Sequence, residues 1–276
     1  MKILKFSVSM CVYGKDHAEW FSEALQSVWN QTVKPDEVVL VVDGPVPDAI
    51  NSVIQQYESD ERFQCIRLKE NQGHGNARRI GLHACTNELV ALMDADDICV
   101  PTRFEKQLAV FESDPELDIV GGNIAEFIDQ PENVVGLREV PEQDVDIKQY
   151  MKSRCPMNQV TVMFKKTAVK KAGGYIDWYC EEDYYLWLRM AQCNMKFANI
   201  DALLVHVRVG KEMYQRRGGC AYFKSEAKLQ KYMYERHFIG IPTYCMNVLK
   251  RLIVQVLLPN RLRSWVFKTF ARKRSQ

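Results

Sequence analysis

Short, almost purely apolar stretches alternate with amphipathic ones through the first hundred residues of this 276-residue chain. Three of the apolar stretches have the length and composition of strands: residues 6–13, 37–42 and 89–93. The second is apolar at nearly every position, which is typical of a strand buried on both faces. Between the first two, Phe21, Leu25 and Val28 recur at helical spacing. The alternation therefore predicts an α/β fold with a mostly parallel sheet and crossover helices.

The second half of the chain is less regular, but it continues the same pattern. We expect a helix over residues 182–191 and a polar loop around residues 131–144. Three further stretches are strand-like: residues 117–121, 160–164 and 203–207. His206, in the last of them, is expected to be an ordinary strand residue and not a metal ligand. The length suits one large α/β domain, with or without an appendage.

Charge is distributed unevenly along the chain. The total is +2, yet the segment from Arg236 to the end has nine Lys or Arg and no Asp or Glu, which leaves 28 basic against 35 acidic residues before it. An acidic body with a basic tail favours contact with an anionic surface over binding of nucleic acid. Nine cysteines without a C-x-x-C pair, and no signal-peptide pattern, predict a cytoplasmic protein with reduced thiols.

Three aspartates follow the apolar strand at 89–93 without a break: Asp94, Asp96 and Asp97. Ligands of open α/β sheets bind at the carboxyl ends of the strands. Three carboxylates within four residues repel one another, and a divalent cation with oxygen ligands, Mg²⁺ or Mn²⁺, would offset that repulsion and bind substrate phosphates. The alternative is an acidic turn that caps the next helix. Because two further ligand motifs precede this one, we favour a metal site with Asp94 and Asp96 as ligands.

Those two motifs occur between the strands predicted at residues 37–42 and 89–93. Asp43 comes directly before a Gly-Pro turn, where its carboxylate can accept a hydrogen bond from a base or ribose. In ENQGHGNARRIGL, Gly73 and Gly75 precede a helix that presents Arg78 and Arg79. A helix start with adjacent guanidinium groups favours anion binding. The alternative for Asp43 is a common Asp-Gly turn. The alternative for the second motif is a plain glycine-containing loop with surface arginines.

In this order, the motifs resemble those of the family 2 glycosyltransferases, whose donor domain has the nucleotide-binding fold called GT-A. That family has a strand ending near V-S-V-x-x-x-Y, a D-D-G-S turn, an N-x-G-x-x-x-A-R-N segment and a D-A-D-D motif. The matching stretches here are residues 8–13, 42–45, 71–79 and 94–97, with Val42 and Arg79 departing from the pattern. The resemblance implies a Rossmann-like GT-A fold and contacts to a nucleotide-diphosphate sugar from Val12, Tyr13, Asp43, Asn71, Gly75, Arg78, Asp94 and Ala95.

The stretch EEDYYLWLRM resembles the family's E-D-x-x-L-W-L-R helix start. By that resemblance Asp183 is the general base that deprotonates the acceptor hydroxyl. An inverting displacement needs a base opposite the departing diphosphate, and an aspartate is ionised at neutral pH. Acids that only complement a helix N-terminus are the alternative. We expect acceptor contacts from Glu182, Trp178 and Tyr184, and we expect Trp187 in the core.

The resemblance covers roughly residues 6–210. Within the family, the chain resembles bacterial capsule and exopolysaccharide transferases more than other members, and in particular the amylovoran-type transferases, which also carry an R-R-G-G stretch. It implies a metal-dependent inverting enzyme that moves a sugar onto a glycan, usually a lipid-linked one, in surface polysaccharide synthesis. A sugar-1-phosphate nucleotidyltransferase would need a basic glycine-rich loop near the first strand, and residues 13–15 supply only a weak version. A non-catalytic module would lack a metal or base carboxylate, yet Asp94, Asp96 and Asp183 are present.

We expect the GT-A domain over residues 1–215, with a donor half at 1–100 and an acceptor half at 101–215. Arg216 and Arg217, in a charged segment before two glycines, are expected to close over the donor diphosphate. A helical, basic extension over residues 216–276 is expected to follow.

An apolar stripe runs through this extension, formed by Leu249, Leu252, Ile253, Val256 and Leu257, and basic and aromatic residues follow Pro259. This pattern favours a helix in the headgroup region at the inner face of the cell membrane. Packing of the stripe on the main domain or on a second subunit is the alternative, and the oligomeric state stays open.

Overall fold

The computed structural model describes residues 4–210 and 218–259. Within them, nine strands form one sheet: β1 (Phe6–Tyr13), β2 (Glu37–Asp43), β3 (Phe63–Arg67), β4 (Leu89–Met93), β5 (Ile98–Cys99), β6 (Ile119–Phe127), β7 (Val134–Arg138), β8 (Met163–Lys165) and β9 (Phe197–Arg208). The helices in the same ranges are α1 (Ala18–Trp29), α2 (Asp48–Gln55), α3 (His74–Ala84), α4 (Arg103–Ser113), α5 (Asp144–Tyr150), α6 (Lys166–Lys171), α7 (Glu182–Gln192), α8 (Cys220–Glu235) and α9 (Ile241–Leu252). A π-helical turn, Ile253–Leu257, continues α9.

The strand order is β3-β2-β1-β4-β8-β6-β9-β5, with β7 paired to β6. The first four strands are parallel, so the carboxyl ends of β1, β2 and β4 lie at the same edge. Strand β8 runs antiparallel to both β4 and β6, and β9 is parallel to β6. The predicted α/β fold with a mostly parallel sheet and C-terminal helices is confirmed.

The core lies on both faces of the sheet. Side chains alternate along β4, so that Ala91 joins the apolar cluster beneath α1, α2 and α4, while Val90 and Leu92 join the cluster that contains α7. Trp187 is fully buried in the second cluster, as predicted. This double burial explains why β2 and β4 are apolar at every inner position.

Two predictions for the middle of the chain were wrong. Residues 131–144 were expected to form a polar loop, but Val134–Arg138 form β7, an antiparallel neighbour of β6. The strand predicted at 160–164 is a 3₁₀ turn, Gln159–Thr161, followed by β8. Both are short segments, one of them interrupted by Gly136, where periodicity is too brief to identify a strand. The predicted last strand begins earlier, at Phe197.

Helix α9 has its polar side inward. Asn247 is buried and donates to Gln230 Oε1 (2.8 Å) and to the Lys152 carbonyl (3.0 Å), and Gln255 Nε2 donates to Glu226 Oε2 (2.7 Å). Apolar side chains on its outer side are exposed: Ile241, Met246, Leu249, Ile253 and Leu257. Packing of the apolar stripe on the main domain is therefore wrong for Leu249, Ile253 and Leu257.

Within residues 4–210 and 218–259, no helix combines the length and apolar character needed to cross a bilayer. The division expected at residue 215, together with Arg216 and Arg217, lies outside the described residues, and so does the basic stretch 260–276. The domain boundaries therefore remain predictions.

Candidate active site

A cavity of about 900 Å³ opens at the carboxyl ends of β1, β2 and β4 and extends to α8 and α9. We call its two parts the sheet end and the helix end. The sheet end is lined by the following residues: Val12, Tyr13, Asp16, Asp43, Asn71, Gly75, Asp94, Ala95 and Asp96. The helix end is lined by Arg138, Arg154, Cys155, Glu181, Tyr222, Glu226, Lys250, Arg251 and Gln255, and Trp178, Glu182, Asp183 and Tyr184 line the same cavity. Of the predicted site residues in the described ranges, Arg78 and Arg79 do not line the cavity.

Asp43 organises the backbone of the sheet end. Its carboxylate accepts hydrogen bonds from the N–H groups of Gln72 (2.7 Å) and Gly73 (3.1 Å), and Asn71 Nδ2 donates to its carbonyl (3.2 Å). The next residue, Gly44, has φ +86°, and a Cβ there would lie 2.7 Å from the Asn71 nitrogen. Glycine is required at this turn because it allows both the left-handed conformation and the close approach. A carboxylate has further lone pairs, so Asp43 can still accept from a ligand.

Arg78 is buried beneath the sheet end. Its guanidinium donates to the carbonyls of Ser9 (3.1 Å) and Met93 (3.2 Å) and pairs with the Asp94 carboxylate. Its side chain has no exposed surface. Arg78 is therefore not part of the cavity lining, and its contact with a donor phosphate stays a prediction; Arg79 is exposed and also outside the lining. Arg78 instead fixes Asp94 against the ends of β1 and β4.

The Asp94–Asp97 turn divides its carboxylates between the cavity and the interior. Asp94 and Asp96 line the cavity, whereas Asp97 is buried and accepts the Arg208 N–H at 2.8 Å. Burial and then the neighbouring Asp96 and Asp94 raise the pKa of Asp97 well above its usual range. Arg208 also donates from Nε to the Asp96 carbonyl (3.2 Å). Arg208 thus anchors the turn, a role that its position in a strand did not reveal from the sequence.

The carboxylates of this turn fit a metal ion that is shared with a ligand. In the part of the chain that the structure describes, no group of three His, Cys, Asp or Glu forms a protein cage for a metal. Mg²⁺ and Mn²⁺ do not need one, because such ions are commonly held by one or two carboxylates and complete their coordination with water and substrate phosphates. Asp94 and Asp96, with oxygen donors on one cavity wall, match that kind of site.

Asp183 lies in the first turn of α7, where the helix dipole favours negative charge. Its Oδ1 accepts the Tyr184 N–H (2.6 Å), and its Oδ2 lies 3.9 Å from Cys155 Sγ. Burial, followed by the charge of Asp183, raises the pKa of the adjacent Glu182 to about 7. Burial also raises the pKa of Asp16 to about 6, against the lowering effect of the Tyr13 N–H and with a further increase from Asp94. The cavity therefore concentrates carboxylates that resist simultaneous ionisation.

Replacing Glu182 by glutamine is expected to stabilise the protein at high pH. Because the pKa of Glu182 is raised in the folded protein, its contribution to stability is complete below the usual carboxyl pKa of about 4.5 and is lost as pH rises towards 7. The difference in melting temperature between Glu182→Gln and the parent should therefore grow between about pH 4.5 and 7 and then level off. Thermal melts from pH 4.5 to 8.5 test this, with the exposed Glu112→Gln as the control. A difference independent of pH would contradict it.

Both aromatic residues predicted on the acceptor side line the cavity, but each is already held by the protein. Tyr184 is buried, and its hydroxyl donates to the Met151 carbonyl. Trp178 donates to the Ser225 carbonyl (3.4 Å), and Lys228 Nζ lies 4.1 Å from its ring centroid. The polar groups of both side chains are therefore already hydrogen-bonded within the protein.

The helix end was not anticipated from the sequence. Glu226 forms an ion pair with Arg251 (Oε2 to Nε, 2.6 Å), and Arg138 Nη2 donates to the Cys155 carbonyl (2.7 Å). Arg154 and Lys250 line the same region. These residues come from β7, the segment after α5, α8 and α9, and the spacing between those elements gives no sequence signal that they meet. The charge of the helix end is a finding of the structure.

Comparison with known proteins places the chain in a family. A family model described as glycosyl transferase family 2 matches residues 7–171. A UDP-Gal:alpha-D-GlcNAc-diphosphoundecaprenol beta-1,3-galactosyltransferase of Escherichia coli is 36% identical over 98% of this chain and 97% of its own length. The amylovoran biosynthesis glycosyltransferase AmsE of Erwinia amylovora is 38% identical over 82% of this chain and 84% of its own length.

Solved structures support the same fold. TarS residues 1–349 from S. aureus superpose with a TM-score of 0.63 at 18% identity, covering 98% of this chain and 76% of that one. The mannosyltransferase PcManGT from Pyrobaculum calidifontis, in complex with GDP-Man and Mn2+, superposes with a TM-score of 0.60 at 17% identity, covering 94% of this chain and 71% of that one. Both are glycosyltransferases of the GT-A fold, which confirms the predicted architecture.

Proposed function

Because this chain belongs to glycosyl transferase family 2, we propose that it transfers a sugar, with inversion, from a nucleoside-diphosphate sugar to a hydroxyl of a lipid-linked glycan. The observation that carries this proposal is the common cavity: Asp96 follows β4 and Asp183 begins α7, and both line it. In this proposal Asp96 acts on the donor diphosphate and Asp183 on the acceptor. Family membership removes the nucleotidyltransferase alternative.

The relatives narrow the class of substrate. The E. coli relative is named for an acceptor that is a sugar on diphosphoundecaprenol, and the Erwinia relative is named for amylovoran biosynthesis. Both cover most of this chain and most of their own length. By analogy we assign this enzyme to surface polysaccharide synthesis at the inner face of the cytoplasmic membrane.

Asp183 accepts the proton of the acceptor hydroxyl in the proposed reaction. The acceptor oxygen forms its bond to the anomeric carbon while the bond from that carbon to the diphosphate breaks, and the nucleoside diphosphate leaves. The Tyr184 N–H, at 2.6 Å from Oδ1, fixes the carboxylate, and Cys155 Sγ lies 3.9 Å from Oδ2. Glu182, with its raised pKa, limits the local negative charge below pH 7.

The sheet end holds the donor in this proposal. Val12, Tyr13, Asn71 and Gly75 line the space for the nucleoside, and Asp43 accepts from its ribose or base. Asp94 and Asp96 would hold Mg²⁺ or Mn²⁺, with Arg78 fixing Asp94 from below. Such an ion supplies positive charge that stabilises the leaving diphosphate. Trp178 and Glu182 contribute acceptor contacts.

A binding screen tests the donor assignment. Thermal melts with UDP-sugars, GDP-sugars and other nucleotide sugars, with and without Mn²⁺, are expected to identify a donor that raises the melting temperature. At a hundredfold excess over its Kd, the donor should stabilise the folded protein by about 2.7 kcal/mol. In Asp96→Ala the Mn²⁺-dependent part of the shift should disappear. The exposed Asp146→Asn serves as the control for loss of one carboxylate. A donor shift that is equal in Asp96→Ala and the parent would overturn the metal assignment.

The outer face of α9 contacts the membrane in this proposal. A helix that buries its polar side against α8 and exposes Leu249, Ile253 and Leu257 has no packing reason to do so in water alone. The following residues 260–276 contain six Lys or Arg and no acid, which suits an anionic lipid surface. The partner is therefore a bilayer, and a second copy of the chain is the alternative outcome of the test.

Leu249→Glu with Ile253→Glu is expected to weaken binding to vesicles that contain phosphatidylglycerol. Each apolar side chain contributes roughly 1.5 kcal/mol or more on burial, so the double variant should lower the partition coefficient at least ~100-fold. Sedimentation with vesicles measures it, and Val145→Glu, on an exposed part of α5, is the control. Unchanged partitioning would contradict membrane contact by this face. A parent protein that is a dimer, with a double variant that is a monomer, would contradict it as well.

A further inference from the structure

The guanidinium of Arg208 joins three parts of the chain beside the Asp94–Asp97 turn. Its Nε donates to the Asp96 carbonyl (3.2 Å), and its Nη1 donates to the Asp129 carbonyl (2.9 Å). Its Nη2 forms an ion pair with Glu23 on α1. The side chain is only 7% exposed, although Arg208 is the last residue of β9. One side chain thus holds together the turn after β4, helix α1 and the turn after β6.

Two aromatic rings fix the orientation of this guanidinium. Arg208 Cζ lies 4.6 Å from the ring centroid of Phe127 and 4.9 Å from that of Trp20. A guanidinium is planar, so it can stack on aromatic rings and donate in several directions within its own plane. A lysine has a single ammonium on a flexible chain and cannot make the same set of contacts. The position therefore requires the shape of arginine as well as its charge.

The backbone and the side chain of Arg208 act on different aspartates. The Arg208 N–H donates to the Asp97 carboxylate at 2.8 Å, a contact that any residue other than proline can make. The side chain donates to the carbonyl of Asp96, which lines the cavity. A fixed carbonyl limits rotation about the Cα–C bond of Asp96, and so limits the directions that its carboxylate can take. Substitution of Arg208 therefore tests the contact with Asp96 while the backbone contact with Asp97 is kept.

The charge of Arg208 acts against a bound cation. Like charges repel, so by Coulomb's law alone an arginine beside a metal site lowers the affinity of that site for Mg²⁺ or Mn²⁺. Glu23 offsets part of this charge, but its side chain is about half exposed and water screens the pair. Arg208 thus has two opposite effects at Asp96, because its charge weakens metal binding while its hydrogen bond holds the residue in place.

We propose that Arg208 is a positioning residue for the divalent ion, and that its hydrogen bond to the Asp96 carbonyl strengthens metal binding more than its charge weakens it. This inference rests on the proposed function, because it takes Asp96 as a metal ligand. Residues that hold a metal ligand in place typically change the affinity for the metal by about 10- to 100-fold when they are replaced.

Arg208→Lys and Arg208→Met should each raise the Kd for Mn²⁺ by about tenfold or more. Lysine keeps the positive charge and methionine removes it, and both keep the backbone N–H that bonds to Asp97. Mn²⁺ is titrated with UDP present and, in a parallel series, with GDP. The electron paramagnetic resonance signal of free Mn²⁺ gives the Kd after a protein-free nucleotide blank is subtracted.

The matched controls are Arg62→Lys and Arg62→Met. Arg62 also forms an ion pair, with Asp60 at 2.6 Å, and its guanidinium lies over the Trp29 ring, but it does not line the cavity. Both control variants should leave the Kd for Mn²⁺ unchanged. Circular dichroism in EDTA establishes that each variant is folded before its Kd is compared with that of the parent.

The sign of the change separates the explanations. A Kd that falls in Arg208→Met would show that charge dominates, and would overturn the proposal. An equal Kd in the parent and both Arg208 variants, with only the melting temperature lowered, would show that Arg208 stabilises the fold alone, and would also overturn it. A parent that binds no Mn²⁺ would contradict the metal assignment of the proposed function, and this inference with it. If the parent binds Mn²⁺, the comparison tests Arg208 separately from the proposed function.

Discussion

Asp183→Asn is expected to lower the rate of sugar transfer by about 10²- to 10⁴-fold, the range that a positioned general base contributes. Asparagine keeps the size of the side chain, and its amide oxygen can still accept the Tyr184 N–H that Asp183 Oδ1 accepts at 2.6 Å. It cannot take a proton from the acceptor hydroxyl at neutral pH. The fold and the sheet end should therefore be unaffected while the chemical step fails.

Initial rates with the donor identified by the thermal screen and a lipid-linked acceptor measure this effect. The Kd for the donor with Mn²⁺ should stay within about twofold of the parent, because Asp183 is outside the sheet end. Asp146→Asn, an exposed substitution on α5, should leave the rate unchanged. Near-normal turnover of Asp183→Asn would show that another group removes the proton, and loss of donor binding would show that the variant disturbs the cavity.

Arg78→Met is expected to be the most destabilising substitution at the site. The Arg78 side chain is fully buried, and its loss leaves the Ser9 and Met93 carbonyls and the Asp94 carboxylate without the donors they have in the structure. Removing one partner of a buried ion pair costs about 3–5 kcal/mol. For a chain of this size this corresponds to a melting temperature lower by ~10 °C.

The neighbouring residue provides the control for Arg78. Arg79 is exposed, and its Nη2 donates to Asn76 Oδ1 at 3.2 Å, so Arg79→Met should shift the melting temperature by no more than a degree or two. Urea unfolding of both variants, followed by far-UV circular dichroism, gives the same comparison as a free energy. If Arg78→Met were as stable as the parent, Asp94 would have to be held by other groups, and its place as a fixed metal ligand would be lost.

The sequence predicted the sheet end well because strand periodicity and strand-end motifs coincide there. Strands Phe6–Tyr13 and Leu89–Met93 match their predicted bounds, and Asp43, Asp94 and Asp96 line the cavity that parallel strand ends create. The rule that ligands bind beyond the carboxyl ends of parallel strands connects the two observations. The separate motifs thus meet in space as expected.

Arg78 shows the limit of motif reading. Its place after two glycines at a helix start indicated an anion site, yet its guanidinium turns inward to the ends of β1 and β4. The first turn of a helix presents some side chains outward and others to the sheet. The sequence does not give the rotation of the helix about its own axis, which decides which side chains face the sheet. A possible signal was the nearby Asp94, which offers the counter-charge that a buried arginine requires.

The helix end and α9 could not be predicted for a different reason. Residues Asn247, Arg251 and Gln255 recur every four positions and form a polar stripe opposite the apolar one. Periodicity identifies both stripes but does not decide which of them faces the protein. That choice depends on Gln230 and Glu226, which lie in a separate helix.

Helix α9 also sets a distance. Arg251 and Gln255 line the cavity on one side of it, and Leu249 and Ile253 are exposed on the other. The thickness of one helix with its side chains, about 10–12 Å, would then separate the lipid headgroups from the catalytic chamber. Under the proposed membrane contact, an acceptor hydroxyl would have to extend about that far from the headgroups to reach the cavity.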